Sequence, residues 1–169
     1  KVLYNTVNEK WKVLMMNHND RLTRLRYALD IRDIDMIKIF EFGGVTVTKE
    51  EVREMLKKKD EENYEMELTD ENFERFLNGM IISQRGPREG NEEPIFELHK
   101  GNANNLLLKK LKIALSLTSD DMLNLLDEAG VRVSKGELSA ILRKEGHRNY
   151  KPCGDRYARN FLKGLMLRY

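Results

Sequence analysis

The stretch GVTVTKEEVREML, residues 44–56, decides the fold, because GVRVSKGELSAIL occurs 86 residues later at residues 130–142. Six of the 13 aligned residues are identical. The same offset holds without a gap for residues 22–64 against 108–150, where 15 of 43 positions are identical. Chance does not produce such a match, so the chain contains an internal duplication.

Beyond residue 150 the offset falls by one residue and the repeat continues. The four matching pairs are Asp70 with Asp155, Phe76 with Phe161, Leu77 with Leu162, and Gly79 with Gly164. The repeat divides the chain into an N-terminal extension (1–17), a first copy (18–84), a linker or long loop (85–105) and a second copy (106–169). The linker holds two of the three prolines, and its segment 95–98 is expected to dock onto the core.

Each copy is predicted to form four helices. The first helix carries Leu22, Leu25, Ala28 and Leu29 at helical spacing. The fourth helix has the clearest pattern, with Phe73, Phe76, Leu77 and Met80 at i, i+3, i+4 and i+7. The third helix opens on a capping box in both copies, Thr48 with Glu51 and Ser134 with Glu137. The strand alternative is weak throughout.

We therefore predict an all-α fold, a tandem duplication of a four-helix unit whose copies pack with pseudo-two-fold symmetry. A unit of roughly 65 residues buries only about 60% of its unfolded surface and is marginal alone. The alternative is two independent units joined like beads on a string.

Three stretches carry a family resemblance: LKKLKIALSLTSDDML (108–123), GVRVSKGELSAILR (130–143) and CGDRYARNFLKGL (153–165). Together they resemble the bacterial YehS-like family, a duplicated domain of unknown function. The resemblance covers residues 17–169 and implies a small cytoplasmic bacterial protein. It implies nothing about chemistry.

Composition also favours a cytoplasmic location. No apolar run approaches the roughly 18 residues that span a bilayer, so a membrane partner is not expected. The start KVLYNTVNEKWKVLMM lacks the apolar core and cleavage site of a signal peptide. A single cysteine cannot form an intrachain disulfide, which suits a reducing compartment.

Cys153 is the first catalytic candidate, because Arg156 and His147 lie close in sequence and a helix is predicted to start just after it. These neighbours can lower the pKa of a thiol. The first copy has no cysteine at the matching place, so a buried, inert thiol is the favoured interpretation.

The sequence otherwise gives no sign of enzymatic or metal chemistry. The three histidines, His18, His99 and His147, are too scattered to suggest a metal site. No phosphate loop, dinucleotide fingerprint or nucleophile elbow is present. We predict no enzyme activity, no cofactor and no metal.

Two duplicated pairs have structural interpretations. Asp70 and Asp155 stand at the start of the fourth helix, where an aspartate caps free amides. Gly79 and Gly164 lie inside that helix, where glycine costs about 1 kcal/mol relative to alanine. We expect close helix contact there, with the interface between the copies as its expected location.

Charge is unevenly distributed between the copies. Residues 104–169 hold 13 basic and seven acidic residues, a net of +6, which leaves −4 for residues 1–103 since the whole chain is +2. The second copy also has a helix, a glycine-containing turn and a capped helix in succession, and this order suggests a helix-turn-helix-like element. The candidate residues for binding nucleic acid or a partner are Lys135, Arg143, Lys144, Arg148, Tyr150, Lys151, Arg156, Arg159 and Lys163.

Two function classes remain. We favour a cytoplasmic, non-enzymatic binding module, that is, a protein-interaction or regulatory protein with an unknown protein partner. The opposite charges on its two halves can also drive a head-to-tail homodimer. The alternative is a nucleic-acid-binding protein that uses the basic face of the second copy. The corresponding helix in the first copy is acidic at its start, which argues against this role there.

Overall fold

The computed structural model describes residues 15–87, 89–90 and 93–169. Within these ranges there are eight α-helices and no strand. The first copy contributes α1 (His18–Leu29), α2 (Asp33–Phe42), α3 (Lys49–Leu56) and α4 (Asp70–Arg85). The second copy contributes α5 (Ala103–Ala114), α6 (Ser119–Glu128), α7 (Lys135–Leu142) and α8 (Asp155–Arg168). Most of the predicted N-terminal extension, residues 1–14, lies outside the described residues.

The two copies pack into one body around a pseudo-two-fold axis. The first helix of each copy lies against the fourth helix of the other, α1 on α8 and α5 on α4, more extensively than against the fourth helix of its own copy. Leu22, Leu25, Leu108 and Leu111 on these first helices are fully buried in a core that both copies share. The all-α duplicated fold is confirmed, and the beads-on-a-string alternative is wrong, because each unit completes its core with its neighbour.

The duplicated glycines of the fourth helices permit close helix contact. A Cβ on Gly79 would overlap the carbonyl oxygen of Ile39, and one on Gly164 would overlap that of Leu125. These contacts join α4 to α2 and α8 to α6. The predicted close approach is therefore confirmed, but its expected location was wrong, because it lies within each copy and not between them.

The third helices begin in different ways in the two copies. Thr48 and Glu51 form the full capping box, each side chain bonding the other residue's amide at 3.0 Å. Ser134 also accepts from the Glu137 amide at 3.1 Å. The Glu137 carboxylate, however, accepts from the Tyr157 hydroxyl at 2.7 Å. The predicted second box is thus only half formed, because α8 supplies a competing donor.

The connection between the copies is held by one buried carboxylate. Glu74, 1% exposed, accepts from the amides of Glu97 and Leu98 at 2.8 and 2.7 Å. Its other oxygen lies 3.6 Å from Lys110 Nζ on α5. Leu98 is buried whereas Ile95 is 78% exposed, so the predicted docking of segment 95–98 holds at its C-terminal end.

Candidate functional site

The predicted binding residues of the second copy lie on α7, α8 and the connector between them. Lys135 begins α7 and Arg143 follows its end. Lys144, Arg148, Tyr150 and Lys151 lie on the connector, whose residues from 143 lead to the start of α8. The remaining three, Arg156, Arg159 and Lys163, lie on α8.

The structure separates these nine residues by environment. Lys135 pairs with Asp120 at 3.4 Å, and the buried Nε of Arg143 has no hydrogen-bond partner among the described residues. Arg159 is half-buried and lines a cleft between the copies, and Tyr150 is also half-buried. The other five are exposed and form no ion pair within the described part of the chain: Lys144, Arg148, Lys151, Arg156 and Lys163.

The helix-turn-helix-like element is formed by α6 and α7, but its geometry suits a major groove poorly. Residues 129–134 separate the helices, which is longer than the usual three or four residues. Helix α7 has only eight residues, and Glu137 places a carboxylate in its first turn, where base contacts would be made. The exposed cations follow α7 instead, on the connector and on α8.

Internal partners occupy the carboxylates near these cations. Glu145 lies 2.9 Å from His99 Nε2 and accepts a hydrogen bond from the side-chain amide of Asn102 at 2.6 Å. These two bonds lower the pKa of Glu145. Asp155 accepts from Asn104 at 2.8 Å and from the Met16 amide at 3.0 Å. These carboxylates therefore do not neutralise the exposed cations between α7 and α8, which face solvent and are free to contact a ligand.

The equivalent connector of the first copy carries the opposite charge. Residues 57–71 hold seven acidic and three basic residues, a net of −4, and we call them the acidic connector. Residues 143–156, the basic connector, hold five basic and two acidic residues, a net of +3. By the repeat offsets, Glu62 corresponds to Arg148 and Glu71 to Arg156, and all four side chains are exposed.

Cys153 is a core residue. Its side chain is 6% exposed, and burial raises the pKa of the thiol to about 12. The first copy has Leu68, also buried, at the equivalent position. The predicted buried thiol is confirmed, and the protonated sulfur is not a nucleophile at neutral pH.

A pair of buried asparagines, missed in the sequence, organises each connector. Asn19 donates to the carbonyls of Met55 and Met66 at 2.9 and 2.8 Å and accepts from the Leu68 amide at 2.9 Å. Asn105 repeats these bonds with Ile141, Lys151 and Cys153, at 3.0, 2.9 and 2.8 Å. One side chain thus fixes the end of the third helix and the approach to the fourth.

The prediction that Asp70 and Asp155 cap the fourth helices is wrong. Thr69 and Gly154 hold the N-cap positions, and the aspartates are the first helical residues. Asp70 Oδ1 lies 2.6 Å from His18 Nε2. Asp155 binds Asn104, which occupies the position of His18 in the second copy. Each aspartate therefore joins the fourth helix to the first helix of its own copy.

These bonds meet at Arg21, which is 4% exposed. Its Nε donates to Asn104 Oδ1 at 2.7 Å, and its Nη1 lies 3.0 Å from His18 Nδ1. Because a guanidinium only donates, His18 Nδ1 accepts and Nε2 carries the proton bonded to Asp70. His18 is thus held as a neutral tautomer. Burial lowers its pKa, the Asp70 bond opposes that effect, and Arg21 lowers the pKa further.

The described residues also form two concave surfaces, a cleft and a groove. A cleft of about 910 Å³ lies between the copies, where both acidic residues such as Glu62 and basic residues such as Arg24 line it. A groove of about 730 Å³ lies between α1 and α2, with Tyr27 and Ile34 exposed along it. Asp120 replaces Ile34 in the second copy, so the equivalent surface there carries a charge at this position.

Among the residues the structure describes, none of the helices is long and apolar enough to cross a membrane. The same residues contain no cluster of three or more histidine, cysteine or carboxylate side chains arranged to hold a metal ion.

Comparison with known proteins supports the duplication and the resemblance. A family described as protein of unknown function, DUF1456, matches residues 18–86 and 104–169 separately. The uncharacterised protein YehS of Escherichia coli is 40% identical over 153 residues, which cover 90% of this chain and 96% of the relative. No solved structure matches the chain. The chain belongs to the DUF1456 family, a family of unknown function.

Proposed function

We propose that this protein is a non-enzymatic binding module that recognises a protein partner through its two charged connectors. The observation that carries the proposal is the opposite charge of equivalent exposed surfaces, net −4 on residues 57–71 and net +3 on residues 143–156. Charges of both signs on one molecule favour a partner that also carries both signs, as protein surfaces do.

The buried interior supports a binding role and not a chemical one. The ionisable groups closest to an active-site arrangement are His18, Asp70 and Arg21, and both nitrogens of the His18 ring are already bonded, one to Asp70 and one to Arg21. His18 has no free nitrogen with which to accept a substrate proton. Cys153 is buried and protonated at neutral pH. We therefore place recognition on the exposed connectors.

Nucleic-acid binding is the second candidate, favoured by the five exposed cations that lack an ion pair within the described residues. A polyanion fits the basic connector but would be repelled by the acidic connector. Tyr150 is only half-buried, which leaves part of its ring for stacking on a base. We rank this candidate second because it leaves the acidic connector without a role.

Charge reversal at each connector separates the candidates. Affinity capture from a bacterial lysate is carried out with three proteins: the native chain, a double variant with Arg148→Glu and Arg156→Glu, and a double variant with Glu62→Arg and Glu71→Arg. Lys38→Glu and Glu128→Arg, exposed charges away from the connectors, are the controls. The proposal expects one protein partner that both connector variants lose and both controls keep. Capture that neither connector variant reduces would overturn it.

A defined oligonucleotide tests the second candidate. Nucleic-acid binding predicts an anisotropy change with labelled duplex or single strand at about 50 mM salt, with a log–log salt slope of about −0.9 per phosphate neutralised on duplex DNA. It also predicts loss of binding in the Arg148→Glu, Arg156→Glu variant and no loss in the Glu62→Arg, Glu71→Arg variant. Absence of binding at low salt excludes this candidate.

A further inference from the structure

We infer that the partner of the connectors is a second copy of this chain, with the basic connector of one molecule docked on the acidic connector of the next. This inference rests on the proposed function and names its partner. It follows from comparing equivalent positions of the duplicated fold.

The duplication places opposite charges on two connectors whose ends are held by equivalent hydrogen bonds. The same asparagine bonds fix both connectors, from Asn19 to Met55, Met66 and Leu68 in one copy and from Asn105 to their counterparts in the other. Glu71 and Arg156 are the second residues of the two fourth helices. Glu62 and Arg148 are matched by the repeat offset and lie between the shared bonds, where the turns differ: a Lys58–Tyr64 bridge closes the first connector, and amide hydrogen bonds from His147 to Lys144 and from Tyr150 to His147 close the second. One molecule thus carries both a surface and its charge-inverted counterpart.

The charges available for such a contact are not used up internally. On the acidic connector, the exposed Glu61, Glu62 and Glu67 form no ion pair within the described residues. On the basic connector, the same holds for Lys144, Arg148 and Lys151. Net charges of −4 and +3 nearly cancel when the two surfaces meet. Electrostatic complementarity of this kind selects the partner and speeds the encounter.

The geometry of this contact is heterologous, because two different surfaces of the chain meet. In an open assembly, a head-to-tail contact leaves one acidic connector unoccupied at one end and one basic connector unoccupied at the other. Assemblies of this type grow as open chains or close into rings. We therefore expect association that continues beyond the dimer as protein concentration rises, and that weakens with salt because the contact is charged and exposed.

Exchanging residues between equivalent positions gives a direct test. The acidic variant carries Arg148→Glu and Arg156→Glu, and the basic variant carries Glu62→Arg and Glu71→Arg. The exchanged variant carries all four changes. Each new residue already exists at the equivalent place in the other copy, and thermal unfolding monitored by circular dichroism checks that the variants remain folded. Sedimentation velocity at about 50 mM and about 500 mM salt follows their association.

The inference predicts that the native chain and the exchanged variant associate at low salt to at least twice the monomer mass of 19.9 kDa. It predicts monomers for the acidic and the basic variant alone, and restored association when these two are mixed. A native chain that stays monomeric at low salt and high concentration would overturn the inference. So would folded variants whose mixture fails to associate.

Failure of this inference is distinguishable from failure of the proposed function. If the native chain is monomeric but both connector variants lose a captured protein, the connectors bind another protein and only self-association is wrong. If the native chain is monomeric and capture is insensitive to both connectors, the proposed function is wrong as well. Binding of the labelled oligonucleotide through the basic connector alone, by a monomeric chain, assigns that surface to nucleic acid and contradicts both.

Discussion

Asn19 and Asn105 make the same set of three hydrogen bonds in the two copies, each side chain donating to two carbonyls and accepting one amide. Both side chains are at least 97% buried. The duplicated unit is therefore defined by a polar element as well as by its apolar core. This bonding holds the two ends of each charged connector, at the last turn of the third helix and just before the fourth.

Replacing either asparagine by alanine should destabilise the protein strongly. Asn19→Ala leaves two carbonyls and one amide without their partner, and each buried unsatisfied group costs about 1–3 kcal/mol. We expect a loss of about 3 kcal/mol or more in the free energy of unfolding by denaturant titration, and a similar loss for Asn105→Ala. Asn124→Ala, an exposed helical position, is the control and should change stability by less than about 0.5 kcal/mol. Equal effects at all three positions would contradict the assignment.

Alanine at the two fourth-helix glycines should also be destabilising. The added Cβ of Gly79→Ala overlaps a backbone carbonyl of α2, and that of Gly164→Ala overlaps one of α6, so helices must shift. Overpacking of this kind costs about 1–3 kcal/mol. Gly136→Ala is the matched control, because the closest approach to its added Cβ from outside the helix backbone is Ser134 Oγ at 3.9 Å and alanine favours the helix by up to about 1 kcal/mol. A stabilising effect at Gly79 or Gly164 would disprove the close contact.

His18 should make stability depend on pH. Burial, with Arg21, lowers the pKa of the folded imidazole below its usual value of 6.5, so the unfolded chain binds the proton first as pH falls. The stabilising contribution is therefore complete above pH 6.5 and is lost as the pH falls from there toward the folded pKa. The largest slope is about 1.4 kcal/mol per pH unit for one proton.

His18→Asn supplies the control, because Asn104 fills this position in the second copy and binds its aspartate at 2.8 Å. Unfolding free energies between about pH 5 and pH 7 should fall more steeply for the native chain than for this variant. The charged groups that act on His18 remain in both proteins, namely Arg21 on α1, Asp70 on α4 and Lys100 before α5. Asp155 on α8 lies 3.9 Å from Arg21 and also remains. Parallel profiles would show that His18 does not titrate in this range.

Cys153 should react slowly with thiol reagents. A buried sulfur with a pKa of about 12 is almost entirely protonated at pH 8, and the thiolate is the reactive form. A disulfide reagent should therefore modify the native chain far more slowly than free cysteine, and denaturant should bring the rate to that of an unfolded peptide. A native rate above that of free cysteine would restore Cys153 as a catalytic candidate.

Local pattern was sufficient to predict the helices and the duplication. Apolar spacing placed Phe73, Phe76, Leu77 and Met80 on a buried face, and all four are buried. Comparing the copies also argued against a catalytic Cys153, because the first copy has no cysteine at that place. Extending the repeat three residues upstream of Leu22 would have revealed the Asn19–Asn105 identity, which was the available signal for the buried asparagines.

Contacts between distant residues were not predictable from these patterns. Asp70 and Asp155 fitted a capping role, and nothing in their neighbourhood indicates His18 or Asn104 as partners. Glu137 fitted a capping box, yet it binds Tyr157 on another helix. In each case a side chain with several possible local bonds forms one that only tertiary packing makes available. The charge inversion of the connectors can be read from the sequence, but only the structure shows that equivalent asparagine bonds hold the ends of both connectors.

Zero-length cross-linking tests the role of the connectors most directly. A carbodiimide joins lysine amines to carboxylates in contact, and a mixture of isotopically labelled and unlabelled chains identifies bonds between molecules by mass spectrometry. We predict cross-links between molecules that join Lys144 or Lys151 of one chain to Glu61, Glu62, Glu67 or Glu71 of another, at low salt and not at high salt. Only cross-links within single chains, or cross-links between molecules that avoid both connectors, would contradict the account.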